Sequence, residues 1–319
     1  MPRMQRLISA QPCSVRASFG SAGTSCGRTT LRMATHPQNS ATSSSLASDK
    51  YFTNLILERA GVPTLGGEYF FLHDRYRAYR PAGHEIDDAL AYFKTLGASA
   101  FVKPLVGSRG DFAQSLHDEA SLLRYIGDVA RYYDSILIQP VVSGVEYRIF
   151  LLDDEVLYAA RKHPPSVRGD GTRSIRDLLI AHNAALQARG LSPAALNASG
   201  DTSLERVLPD GERWIIPGRM NLSAGGTMVL EAPHSERAVT EARKAARALG
   251  LRVAAVDVFT DIAGASDATA VIEVNSNPAI RVLEDCQRPD LILKLWHHTF
   301  SSLGLLAPGD AAKAGASVA

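Results

Sequence analysis

Two β-branched runs near the end of the chain limit its fold most tightly. One is residues 251–259, which contain Asp257; the other is residues 271–280, which contain Glu273 and Asn275. Both read as strands, and the turn-rich segment 261–267 lies between them. Residues two apart on a strand project from one face, so Glu273 and Asn275 point the same way. A hairpin centred near Ala265 sets Asp257 opposite Glu273. Three hard oxygen donors then share one patch with no His or Cys, a set that suits Mg²⁺ or Mn²⁺ rather than Zn²⁺. Taken singly, Asp257 and Asn275 are more often turn formers than ligands; the shared face argues for a ligand set.

The chain has 319 residues, enough for one large domain or two to three smaller ones. Its 45% hydrophobic and 21% charged residues are those of a globular protein. A net charge of +1 supplies no global field to recruit nucleic acid or a membrane surface. No apolar run approaches the roughly 18 residues of a spanning helix. The three cysteines, Cys13, Cys26 and Cys286, form no C-x-x-C pair. That speaks against a disulfide framework or a zinc site and fits a reducing, cytoplasmic setting. Residues 1–48 carry Arg3, Arg6, Arg16, Arg28 and Arg32 with no acid before Asp49. They are expected to be a disordered tail. The same composition is that of an organellar transit peptide, the alternative localisation, and Met33 offers a shorter start.

From Ser48 and Asp49 the character changes. Either residue can cap a helix over 50–60, closed by Gly61 and Pro63. A helix over 85–96 and a strand over 98–104 follow, the strand carrying Lys103. The next loop holds Gly107, Ser108 and Gly110, so its backbone amides can approach an anion. A helix over 118–133 and a strand over 135–139 come next. Residues 145–162 read as a hairpin turning at Asp153 and Asp154. Its pairing sets Glu146 opposite Arg161 and Arg148 opposite Ala159. Absent a bulge, Glu146, Arg148 and Arg161 share one face, either a solvated exterior or one wall of a polar cleft. Residues 163–171 read as a Pro/Gly loop, 175–189 as a helix, 190–212 as irregular, and 214–216 as a strand. A second glycine-rich loop over 217–227 bears Arg219 and Asn221. Helices over 235–249 and 289–302 complete the pattern. Hairpins outnumber βαβ units, so the fold class is α+β with mainly antiparallel sheets. Neither the P-loop nor the dinucleotide fingerprint occurs.

In order, the chain offers Lys50, Lys103 before a glycine loop, Gln139 and Glu146 seven apart, Arg219 and Asn221 before Gly225 and Gly226, then Asp257, Glu273 and Asn275. This series resembles the ATP-grasp superfamily of carboxylate–amine ligases. The likeness is strongest to the ATP-grasp modules of cyanophycin synthetase and of bifunctional glutathione synthetases. It covers roughly residues 49–305, and five motifs in order are specific where one is weak.

The resemblance implies two α/β subdomains clasping a nucleotide. They would span 49–140 and 141–305, with a tail over 1–48 and a flexible tail over 306–319. It implies that Lys50 and Lys103 contact the nucleotide and that the loop of Gly107, Ser108 and Gly110 covers its phosphates. Gln139 to Val142 would line the adenine pocket, with Gln139 standing where many members have Glu. Glu146 would take the ribose, and Asp257, Glu273 and Asn275 two Mg²⁺ ions, with Mn²⁺ the alternative. Arg219 and Asn221, with Arg161 as a third candidate, would face the transferred phosphoryl group. The implied activity joins a carboxylate of an amino acid or peptide to an amine through an acyl phosphate, releasing ADP and phosphate. The alternatives are a nucleotide-binding regulatory subunit without turnover and a kinase that stops at a phosphorylated product. The expected partners are a small acid and a small amine, with neither nucleic acid nor membrane. The resemblance implies an α/β domain before the first Lys, as most relatives carry, where only the expected tail stands here, so a homodimer mate or partner domain is expected to complete the substrate site. No ligase domain is expected after residue 305, which sets the chain apart from a complete cyanophycin synthetase.

Overall fold

The computed structural model describes residues 35–107, 110–188, 202–216 and 225–306. Two antiparallel sheets dominate. The smaller has the order β1-β4-β2-β3, with β1 Glu68–Phe71, β2 Ala100–Pro104, β3 Gln114–Leu116 and β4 Ser135–Pro140. Period-two alternation sends Phe70, Val102, Ile136 and Ile138 to one face. There they pack with Ala89 and Phe93 of α3 (Ile86–Thr95) and Leu122 and Ile126 of α4 (Glu119–Val129). The caps follow the sequence: Glu85 and Asp88 form a capping box at α3, and Asp118 accepts from Ser121 N at α4. The other face carries Lys103 and Gln139.

The larger sheet has the order β11-β10-β5-β6-β9. Its strands are β5 Val145–Leu152, β6 Glu155–His163, β9 Thr227–Leu230, β10 Val253–Thr260 and β11 Ala270–Asn275. One face is covered by α6 (Glu236–Ala248), whose Ala238, Ala242, Ala245 and Ala246 let the helix sit close against Ile149, Val256 and Val258. The opposite face is divided. At one end Phe150, Leu152, Val253 and Ala255 lie under α7 (Arg281–Asp285) and α8 (Pro289–Ser302). At the other end the same strands turn polar, with Glu146, Arg148 and Asp257. A two-stranded sheet of β7 (Ser166–Arg168) and β8 (Arg213–Ile215) packs with α5 (Ile175–Ala188).

Three expectations need correction. The Pro/Gly loop at 163–171 contains β7, a strand too short to show alternation whose partner lies far along the chain. The expected tail is folded over 35–48, where Ser40 caps helix α1 (Ala41–Ser48). Its Ser and Ala content reads as disorder, but small side chains are what let Ser43, Ser44 and Ala47 be buried. Finally, the segment from 49 was expected to belong to the smaller subdomain. Helix α2 (Lys50–Arg59), capped by Asp49 as expected, instead packs with α1 on the larger sheet, where Ala47, Leu57 and Val62 join Ala245 and Val271.

Candidate active site

The β10–β11 pairing sets Asp257 opposite Glu273 and Ala255 opposite Asn275. A bulge beyond Asp257 then leaves Ile272 unpaired, so Val271 faces the helix side with Val258. The three oxygen-bearing side chains therefore emerge together on the face that α6 does not cover, as the hairpin reading expects.

The β5–β6 hairpin departs from expectation by one residue. A bulge between Phe150 and Leu151 shifts the register, so Tyr147 lies opposite Arg161 and Arg148 opposite Ala160. Arg161 goes to the α6 side, where its Nη1 lies 3.7 Å from Glu231. It does not share the face of Glu146 and Arg148. Lys162 does. No local sequence signal marks the bulge, so parity alone points to Arg161 in place of Lys162.

The result is a four-membered charge network. Arg148 donates from Nε and Nη2 to the two oxygens of Asp257, both at 2.8 Å. Lys162 Nζ donates to Asp257 Oδ2 at 2.8 Å and also to Glu146. Burial pushes the Asp257 carboxyl up, but Arg148 and Lys162 outweigh it and hold the group well below the usual carboxylate range. Burial would lower Lys162, yet Asp257 and Glu146 keep it raised. Glu146 is the strained member: burial and the Asp257 charge raise it despite Lys162.

Across from this network stand two lysines from other elements. Lys103, on β2, is buried, with 6% of its surface exposed. Burial lowers its ammonium to about 8, although Glu273, Glu146 and Asp257 pull it up. Lys50, at the start of α2, is likewise lowered by burial against the pull of Glu273 and Asp49. Its Nζ donates to the carbonyls of Gly107 at 3.0 Å and Leu105 at 3.4 Å, fixing the start of the glycine loop. Gly110 closes that loop in a left-handed conformation, with φ of 65°.

Gln139 is fully buried and donates from Nε2 to the Gly66 carbonyl at 2.6 Å. Its Oε1 is buried without a partner. One Nε2 hydrogen is committed to Gly66, and the free Oε1 presents an acceptor where a Glu would also offer one. Val142, half-buried, follows three residues on. Ser108, Arg219 and Asn221 lie outside the described residues.

Among the described residues, no three His, Cys, Asp or Glu side chains converge to hold a metal unaided. Asp257, Glu273 and Asn275 are an incomplete oxygen set, which is what Mg²⁺ accepts when phosphate oxygens fill the remaining positions. Three of the four lone-pair sites of Asp257 are taken by Arg148 and Lys162, leaving one on Oδ1. Asn275 Nδ2 is buried with no partner, a donor that a phosphate oxygen would satisfy. The residues fit the group on these grounds. A separate cavity of about 370 Å³ opens beside Phe71, His73, Arg77 and Glu85 and contains none of them.

With Lys103 on the small antiparallel sheet set against the acids of the larger one, the architecture is that of an ATP-grasp fold. It is similar to the glutathione biosynthesis bifunctional protein of Desulfotalea psychrophila, 27% identical over 257 residues, covering 73% of this chain and 31% of that protein. It is also similar to the cyanophycin synthetase of a Synechocystis species, 28% identical over 262 residues, covering 74% of this chain and 28% of that protein. The chain thus spans about a third or less of the length of these relatives. Among solved structures, D-alanine–D-alanine ligase of Bacillus anthracis aligns with a TM-score of 0.52 at 15% identity, covering 82% of this chain and 70% of that one. No family model matches the chain.

Proposed function

We propose that this chain is an ATP-dependent carboxylate–amine ligase that works through an acyl phosphate and releases ADP and phosphate. The observation that carries this reading is the charge arrangement between the sheets. Buried Lys103 and half-buried Lys50 stand within electrostatic reach of Glu273, a pairing that a triphosphate with its cation would complete.

In this reading the adenine amine donates to the orphan Oε1 of Gln139, and Val142 contributes backbone contacts. Glu146 takes the ribose hydroxyls. Lys103 and Lys50 hold phosphate oxygens, and the loop of Gly107, Ser108 and Gly110 closes over them. Glu273, Asn275 and Oδ1 of Asp257 would hold two Mg²⁺ ions, which supply charge neutralisation for in-line transfer. A substrate carboxylate oxygen attacks the γ-phosphorus and ADP leaves. The amine then attacks the acyl carbon, phosphate departs, and the amine loses its proton to solvent. Facing the transferred group falls neither to Arg161, which turns to the α6 side, nor to Lys162, whose charge is held by Asp257 and Glu146. Arg219 and Asn221 remain proposed for the same duty. Fixed cations stabilise the oxyanion at each stage without side-chain nucleophiles. The acyl phosphate must be kept from water, which gives the glycine loop its purpose. The substrates are proposed to be an amino acid or short peptide and a small amine, with a second copy or partner domain completing their site. The setting is proposed to be cytoplasmic.

The test is ADP release against a panel of amino acids and dipeptides. Turnover should require both an acid and an amine and yield ADP with phosphate. AMP with pyrophosphate, or phosphate transfer indifferent to amines, would contradict it.

A further inference from the structure

Asn39 lies in the segment expected to be a tail, yet every hydrogen-bonding position of its side chain is used. Oδ1 accepts from Arg252 N at 2.9 Å and Val253 N at 3.1 Å. Nδ2 donates to the carbonyls of Val253 and Ser276, both at 2.7 Å. The amide has two lone pairs and two hydrogens, so it is saturated. The partners also fix its orientation, since exchanging oxygen and nitrogen would set donors against donors.

The location gives this its meaning. The β10–β11 ladder ends at the pair Ala255 and Asn275, and at Ser276 the chain bends away. Val253 is the next residue of β10 whose backbone would point toward β11. A carboxamide has the donor and acceptor of a peptide group, and Asn39 puts one where the missing rung would be. It thereby ties Ser276, the residue after Asn275, to β10, the strand that carries Asp257. The tie is buried, with Asn39 9% exposed. Ser40, the next residue, caps α1, which packs against β11. Local flexibility at the strand end is removed from two directions.

We propose that Asn39 is a positioning residue for the oxygen set, holding the end of β11 so that Asn275 and Glu273 keep their register with Asp257. The inference rests on the proposed nucleotide and Mg²⁺ site but makes a separate demand. Disturbing Asn39 should weaken metal-dependent binding while leaving metal-free contacts alone.

The experiment is calorimetric titration of ATP into the full chain at graded Mg²⁺, with thermal melting of each variant. Asn39→Asp keeps the shape and the acceptors but loses both donors; Asn39→Ala loses the whole bridge. Gln38→Ala is the control, because Gln38 anchors the same segment to Ser302 and Thr299 of α8 instead. Both Asn39 variants should raise the half-saturating Mg²⁺ concentration about tenfold or more, the scale on which supporting residues tune a metal site. ATP affinity without Mg²⁺ should stay within about twofold, and Gln38→Ala should leave the Mg²⁺ midpoint in place. A folded Asn39→Asp chain with the wild-type Mg²⁺ midpoint would overturn the proposal. So would an equal shift in Gln38→Ala, and so would an Asn39→Asp chain that does not fold, since Asn39 would then be a stability residue only. If the unaltered chain itself shows no Mg²⁺-dependent ATP binding, the nucleotide reading fails, and the role given to Asn39 goes with it.

Discussion

Lys103 carries its charge where burial works against it. The ammonium is lowered to about 8 from an ordinary value near 10.5. The unfolded chain therefore binds more protons than the folded one between those values, so stability should rise with pH across that window. Replacing Lys103 with Met removes the buried charge. The unliganded protein should gain about 2 kcal/mol by chemical denaturation, while ATP affinity falls by about two orders of magnitude. A variant neither stabilised nor impaired in binding would contradict this account. In the unaltered chain, ATP affinity should weaken as pH rises above about 8, where Lys103 begins to lose its proton. Lys162 behaves differently, because its charge is fully paired. Lys162→Ala leaves Glu146 and Asp257 facing each other without their shared cation, and should cost about 3 kcal/mol in thermal or denaturant unfolding. Adding Glu146→Gln to that variant should recover part of the loss. A double variant no more stable than the single one would show that the network is not coupled as drawn.

At the scale of elements, two close approaches hold the site together. Gly67, at φ of 110°, passes over β4 so tightly that a Cβ would lie 2.6 Å from the Ile138 carbonyl and 2.7 Å from Cγ of Gln139. Gly67→Ala should therefore displace Gln139 and weaken ATP binding more than GTP binding, since the adenine contact is what moves; equal loss for both would argue against the assigned adenine pocket. The other approach is the seam between residues 36–40 and α8. His36 is lowered to about 4, chiefly by burial and further by His298, whose Nε2 lies 3.0 Å from Asp153. The unfolded chain binds the extra proton between about 4 and 6.5. Stability should thus be lost as pH falls through that range, by about 2 kcal/mol for this group, and His36→Leu should flatten the dependence. An unchanged pH profile in the variant would remove His36 as the cause. The strong elements here were readable from sequence: α3, α4, α6 and α8 from periodicity and caps, and the β10–β11 hairpin from its two branched runs. The short edge strands β1, β3, β7 and β9 were not, because three or four residues show no period and their partners are distant. Helix α1 was hidden by composition, since serine and alanine mark both disorder and close packing.

For the whole molecule, the legible part of the site is the part that depends on strand parity alone. Asp257, Glu273 and Asn275 share a face because residues two apart must. Lys162 could not be found this way, because a single bulge reverses parity and leaves no trace in the residues around it. Asn39 was hidden by a longer reach, joining positions more than two hundred residues apart. The site joins charge from both sides, Lys103 from the smaller sheet and acids from the larger one, with Lys50 of α2 tied to the loop after β2. A structure of the full chain with Mg²⁺ and a non-hydrolysable ATP analogue tests that claim most directly. The account predicts the purine beside Gln139, phosphates between Lys103 and Glu273, and the cation on Glu273 and Asn275. A nucleotide bound elsewhere, or phosphates with no cation at those two side chains, would contradict it.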